Sequence, residues 1–84
     1  MSAKAHYSPT EQIELILQDL RNDIACAERQ AAHGPYYPDR GITADSLRQS
    51  ADHCRNQIGR ILHRVNAPTG DPIAVVNQYI AGKI

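Results

Sequence analysis

Two apolar stripes of identical spacing constrain this chain more than any other feature. In the first, Ile13, Leu17, Leu20, Ile24, Ala27 and Ala31 recur at steps of 4, 3, 4, 3 and 4. In the second, Leu47, Ala51, Cys54, Ile58, Ile61 and Val65 repeat those steps. A helix turns once every ~3.6 residues, so each set lies along one face. Alternating 3- and 4-residue steps are also the spacing of a coiled-coil seam. Fold the chain back between the stripes and pair residues whose numbers add to 78. Six layers then close without a slip: Ile13 with Val65, Leu17 with Ile61, Leu20 with Ile58, Ile24 with Cys54, Ala27 with Ala51, Ala31 with Leu47. The expected fold is all-α, an antiparallel two-helix hairpin. The same register also suits pairing swapped between two chains.

The helix ends are written in local chemistry. Ser8-Pro9-Thr10-Glu11 offers a capping hydroxyl, a proline at the first helical position and the glutamate of a capping box. Gly34-Pro35 ends that helix, which spans about 9–33. His33, in its last turn, suits the negative end of the helix dipole. Thr43 caps a second helix over about 44–66, and Asn66-Ala67-Pro68 stops it. Asp71-Pro72 opens a short third helix over about 72–81, with Ile73, Val76 and Ile80 as its expected buried face and Gly82 as its stop. Residues 1–7 read as a loose arm and 34–42 as a Tyr/Pro/Gly loop. All 84 residues make one domain.

The seam is unequal along its length. Its layers near the chain termini are Ile, Leu and Val, each worth ~1.5–3 kcal/mol on burial, whereas those near the loop are mostly Ala and Cys. A five-residue link returns the third helix to the large-residue end. The expectation is a three-helix core at one end and a thin stalk at the other. Trp and Phe are absent, so the core is aliphatic and small, and a domain of this size gains from oligomerisation. Leu15 opposite the stripe, and Ile16 and Leu62 on its flanks, are the expected interface of a homo-oligomer, a dimer as first guess. Gly59, mid-helix, costs ~1 kcal/mol relative to Ala and fits either close approach by the third helix or another subunit, or no special role, since single glycines in helices are tolerated.

Composition narrows function mainly by exclusion. Nine basic and nine acidic side chains cancel, which disfavours a nucleic-acid or membrane-surface binder. No run approaches the ~20 apolar residues of a membrane span, and no apolar stretch follows Met1–His6 as a signal peptide requires, so a cytoplasmic location is expected. Seven Arg against two Lys fit a GC-rich bacterial or phage gene. Two cysteines are too few for a disulfide scaffold. Cys26 and His53 fall on one flank, but a structural zinc site needs four ligands, so neither metal nor cofactor is expected. No nucleophile signature or phosphate loop occurs, which argues against an enzyme.

Three binding readings remain. The first is a protein-binding module, such as an inhibitor, adaptor or accessory factor, acting through the loop. Tyr36, Tyr37 and Arg40 are of the types enriched at binding hot spots. The tyrosines either fold back on the hairpin or meet a partner. The second is an anion or nucleotide site at an oligomer interface or at Arg21 and Arg55, which face each other across the seam, with Asp52 near enough to relieve the repulsion. Glu28 is expected to pair with Arg48. The third is nucleic-acid contact through His53, Gln57, Arg60 and Arg64, a stripe that Asp19 and Asp23 should largely neutralise.

Overall fold

A computed structural model of the protein describes residues 7–84. The arm expected over 1–7 therefore lies, except for Tyr7, outside the described residues. These form an all-α fold of three α-helices: α1 at Pro9–His33, α2 at Ala44–Val65 and α3 at Pro72–Ile80. None is long and apolar enough to cross a membrane.

The caps form as their residues require. The Ser8 hydroxyl accepts from the Glu11 N–H at 3.2 Å, and the Glu11 carboxylate accepts from the Ser8 N–H at 3.1 Å. Those Ser8 bonds hold the Glu11 carboxyl below its ordinary range. At α2 the Thr43 hydroxyl accepts from the Ser46 N–H at 3.1 Å, and the Ser46 hydroxyl takes the glutamate's part at 2.8 Å. Asp71 caps α3 by accepting from the Ile73 N–H at 3.1 Å.

α1 and α2 pack antiparallel within one chain, and α3 lies mainly against α1. Ile13, Leu17, Leu20 and Ile61 are buried with Val75, Val76 and Ile84 in one cluster, flanked by Ile16, Cys54, Ile58, Val65 and Tyr79. Apart from Cys54, and Ile16 on the flank of the stripe, these come from the large-residue end of the seam or from the α3 segment. Towards the loop, Ala31 and Ala51 are buried but add no large side chain, while Ala27 and Leu47 are half-buried.

The third helix is rotated from its expected setting. Val75, Val76 and Tyr79 face inwards, whereas Ile73 and Ile80 are 56% and 75% exposed. Only Val76 of the expected buried row is in the core. The Arg64 guanidinium donates to the Gln78 amide oxygen at 2.5 Å, which turns the Gln78 side of α3 to α2 and the two isoleucines away.

The link and the end of the chain complete the core. Gly70 crosses the end of α2 so closely that an added Cβ would stand 2.5 Å from the Val65 carbonyl oxygen and 2.6 Å from that of Arg64. After α3, Gly82 adopts φ +75°. Its N–H donates to the Tyr79 carbonyl at 3.1 Å and that of Lys83 to the Gln78 carbonyl at 2.8 Å, a Schellman turn. That turn sends Ile84 back into the core, where its carbonyl oxygen accepts from the Gln57 amide at 3.3 Å. Of the two readings of Gly59, crowding by α3 does not hold: nothing lies within 4 Å of its added Cβ.

Leu20→Ala should lower the unfolding free energy by ~2–5 kcal/mol in urea titrations. The two glycines should respond with opposite sign. Gly70→Ala forces a methyl onto carbonyls and should cost about 1–3 kcal/mol, whereas Gly59→Ala should add about 0.5–1 kcal/mol of helix propensity. Equal effects at the two glycines would contradict the path of the link over α2.

Candidate functional site

The segment between α1 and α2 is a folded unit. Tyr37 and Ile42 exchange two backbone hydrogen bonds, at 2.8 and 3.0 Å, which close the loop at its base. Between them Pro38–Arg40 form one 3-10 turn, closed by the Gly41 N–H on the Pro38 carbonyl at 3.0 Å. Two side chains tie the loop to α1. The Tyr36 hydroxyl donates to the Ala31 carbonyl at 2.5 Å, and the Gln30 amide donates to the Pro35 carbonyl at 2.7 Å. These bonds hold the loop at a helix end whose last carbonyls have no partners within the helix.

The three sequence-selected residues thus divide. The Tyr36 ring folds back over Gly34 while its hydroxyl serves the end of α1. The Arg40 guanidinium stands 5.9 Å from the centre of the Tyr37 ring, a cation–π distance. Tyr36 and Tyr37 remain 42% and 43% exposed. One tyrosine packs back and both keep an open face.

The arginine flank is arranged differently from the sequence expectation. Glu28 pairs with Arg55, not with Arg48. Arg48 and Arg55 are seven residues apart on one flank of α2, so both are within reach of Glu28. Asp45, one turn before Arg48, holds that guanidinium at 3.0 Å, and Asp52 holds Arg55 at 3.0 Å. The Glu28 hydrogen bond, then Asp52, keeps Arg55 firmly charged. Arg21 and Arg55 therefore do not offer two free guanidiniums to an anion. Of the expected interface residues, Leu15 and Leu62 are 39% and 37% exposed, and Ile16 is half-buried against the core.

A basic trough on α2 was less legible. Two clefts of about 440 and 550 Å³ adjoin there, sharing His63 and Arg64. Arg60 and the open Gly59 position line one, and Gly70, Asp71 and Gln78 the other. Among the described residues Arg60, His63 and Arg64 have no carboxylate within 4.0 Å. Neither Asp19 nor Asp23 forms an ion pair with Arg60 or Arg64, and the Arg64 guanidinium donates to Gln78 of α3 instead.

Both cysteines are free; Cys26 is exposed and Cys54 half-buried. Burial pushes the Cys54 thiol above its ordinary range, and the Asp23 carboxylate adds to the shift. Among the described residues no three of His, Cys, Asp and Glu are grouped to hold a metal ion. Comparison of the chain with protein-family models, with curated proteins and with solved structures finds no match.

A thiol reagent in limiting amount at mildly alkaline pH should label Cys26 well before Cys54, since the thiolate is the reactive form, Cys26 is exposed, and Cys54 is half-buried with its thiol pushed upwards. Equal labelling rates, read by peptide mass spectrometry, would contradict the closed seam at Cys54.

Proposed function

We propose that this chain is a small non-enzymatic protein-binding module, an inhibitor, adaptor or accessory factor of a bacterial or phage cytoplasm, that acts through the loop between α1 and α2. In this reading Tyr37 and Arg40 are the main contacts, and Tyr36 contributes its open face while anchoring the loop. One observation carries it: the loop is closed by its own hydrogen bonds, yet its two tyrosines remain about two-fifths exposed. A segment already ordered loses little entropy on binding. Tyr and Arg are the residue types most enriched where binding energy concentrates. Self-association into a homo-oligomer accompanies this reading, because the loop half of the hairpin contributes little burial of its own.

A second reading has its own support. Two arginines and a histidine without carboxylate partners beside two open clefts favour a small anionic ligand on α2, with Arg60, His63 and Arg64 as its contacts in place of Arg21 and Arg55. Asp45 and Asp52 further along α2 would repel a long polyanion, which disfavours nucleic acid. Here thermal stabilisation by pyrophosphate would be lost in Arg60→Ala.

The loop reading is tested by the double variant Tyr37→Ser/Arg40→Ala. It should keep the parent melting temperature and lose the partner captured from a host lysate. Tyr36→Phe should lower stability by roughly 0.5–1.5 kcal/mol through the lost Ala31 hydrogen bond and retain the partner. An unchanged capture profile in the stable double variant would overturn the loop assignment.

A further inference from the structure

We propose that the α2 trough takes a phosphate ester of a hydroxyl-rich small molecule, with the phosphate at Arg60 and the hydroxyls at Asp71. The inference rests on the anionic-ligand reading of α2 above and names the ligand class for that site.

The phosphate end is set by the cleft beside Gly59. His63 and Arg64 follow Arg60 by three and four residues, so the three share one face of α2. Among the described residues neither arginine has a carboxylate within 4.0 Å. Arg64 is half-buried and already held by the Gln78 amide oxygen at 2.5 Å, which fixes its remaining N–H groups. A guanidinium placed before the ligand arrives loses less entropy on binding. His63 adds a ring N–H. Gly59 has no side chain, and nothing lies within 4 Å of where a Cβ would stand, so a tetrahedral group has room beside Arg60.

The other end has different chemistry. Its cleft keeps His63 and Arg64 but adds Thr69, Asp71 and Gln78. One Asp71 carboxylate oxygen caps α3 through the Ile73 N–H at 3.1 Å, and the other has no partner among the described residues. With the Gln78 oxygen given to Arg64, its amide N–H groups remain to donate. The Thr69 hydroxyl both donates and accepts. An acceptor, a donor and a hydroxyl together suit neighbouring hydroxyl groups, each of which needs both kinds of partner. A second phosphate would meet the Asp71 carboxylate and the negative end of the α2 dipole, whereas an ammonium would meet Arg64. The same two negative features orient the ligand, because they direct its phosphate away from the end of α2 and towards Arg60. The clefts, at about 440 and 550 Å³, match small-molecule sites. A bare phosphate, no larger than a few waters of ~30 Å³ each, fills little of either.

The test is calorimetric titration of the full chain at low ionic strength. The probes are inorganic phosphate, pyrophosphate, ribose 5-phosphate, AMP and fructose 1,6-bisphosphate. Ribose 5-phosphate should bind about tenfold more tightly than inorganic phosphate, as one or two added hydrogen bonds allow. Fructose 1,6-bisphosphate, anionic at both ends, should bind more weakly than ribose 5-phosphate despite its greater charge. Asn caps a helix as well as Asp does, so Asp71→Asn should keep the circular dichroism spectrum and reverse that order. Arg60→Ala should abolish binding of every probe. AMP carries the same ribose phosphate, so tighter binding of AMP would assign the ester to nucleotides, and tighter binding of ribose 5-phosphate to sugars. If pyrophosphate binds through Arg60 and ribose 5-phosphate binds no better than inorganic phosphate, the anion site stands and the ester is overturned. An order of the two sugar phosphates unchanged in Asp71→Asn would overturn the placement of the hydroxyls. If no probe binds, the anion site and the ester fall together.

Discussion

The structure depends on burial of large aliphatic side chains at one end of a two-helix seam. Ile13, Leu17, Leu20 and Ile61 supply the first layers, and each reaches nearly complete burial only because α3 and Ile84 close over them. Two helices alone leave a groove along each side of their seam. The link through Gly70 places Val75 and Val76 over one groove, and the Schellman turn at Gly82 adds Ile84. The position of every other surface follows from that closure.

The loop half of the hairpin is held by other means. Its seam is built of Ala and Cys with few large side chains, so burial there gives little free energy per layer. Local hydrogen bonds take over: the Tyr37–Ile42 bridge, the Tyr36 hydroxyl on Ala31 and the Gln30 amide on Pro35. The Glu28–Arg55 pair adds a clasp across the helices, although exposed ion pairs contribute only ~0–1 kcal/mol. A segment organised by directional bonds keeps its aromatic faces available, which is why shape and accessibility coincide in the loop.

The surfaces left over differ in kind. The loop presents aromatic rings and a guanidinium, the α2 trough presents Arg60 and Arg64 without ion-pair partners among the described residues, with Asp71 at one side, and the outer α3 face presents isoleucines without charge. These surfaces share no residues. The loop residues were legible because Tyr, Pro and Gly concentrated in one stretch. The trough was not, since its emptiness depends on Gln78 drawing Arg64 towards α3.

The sequence alone determined the three helices, their ends and the antiparallel pairing of the long two. Caps, prolines and terminal glycines act within a turn of where they stand, and six apolar positions at strict spacing leave a long helix one face to bury. The tertiary structure decided what local pattern left degenerate. α3 is apolar on several sides, so the row Ile73-Val76-Ile80 read from the spacing gave way to Val75-Val76-Tyr79, the side that faces inwards when the Gly70 link crosses α2 and Gln78 meets Arg64. Glu28 had two arginines on one flank, and the carboxylate of Asp45 beside Arg48 left Arg55 as its partner. Short helices and long charged side chains have several nearly equivalent arrangements, and only the packing of the whole chain chooses among them.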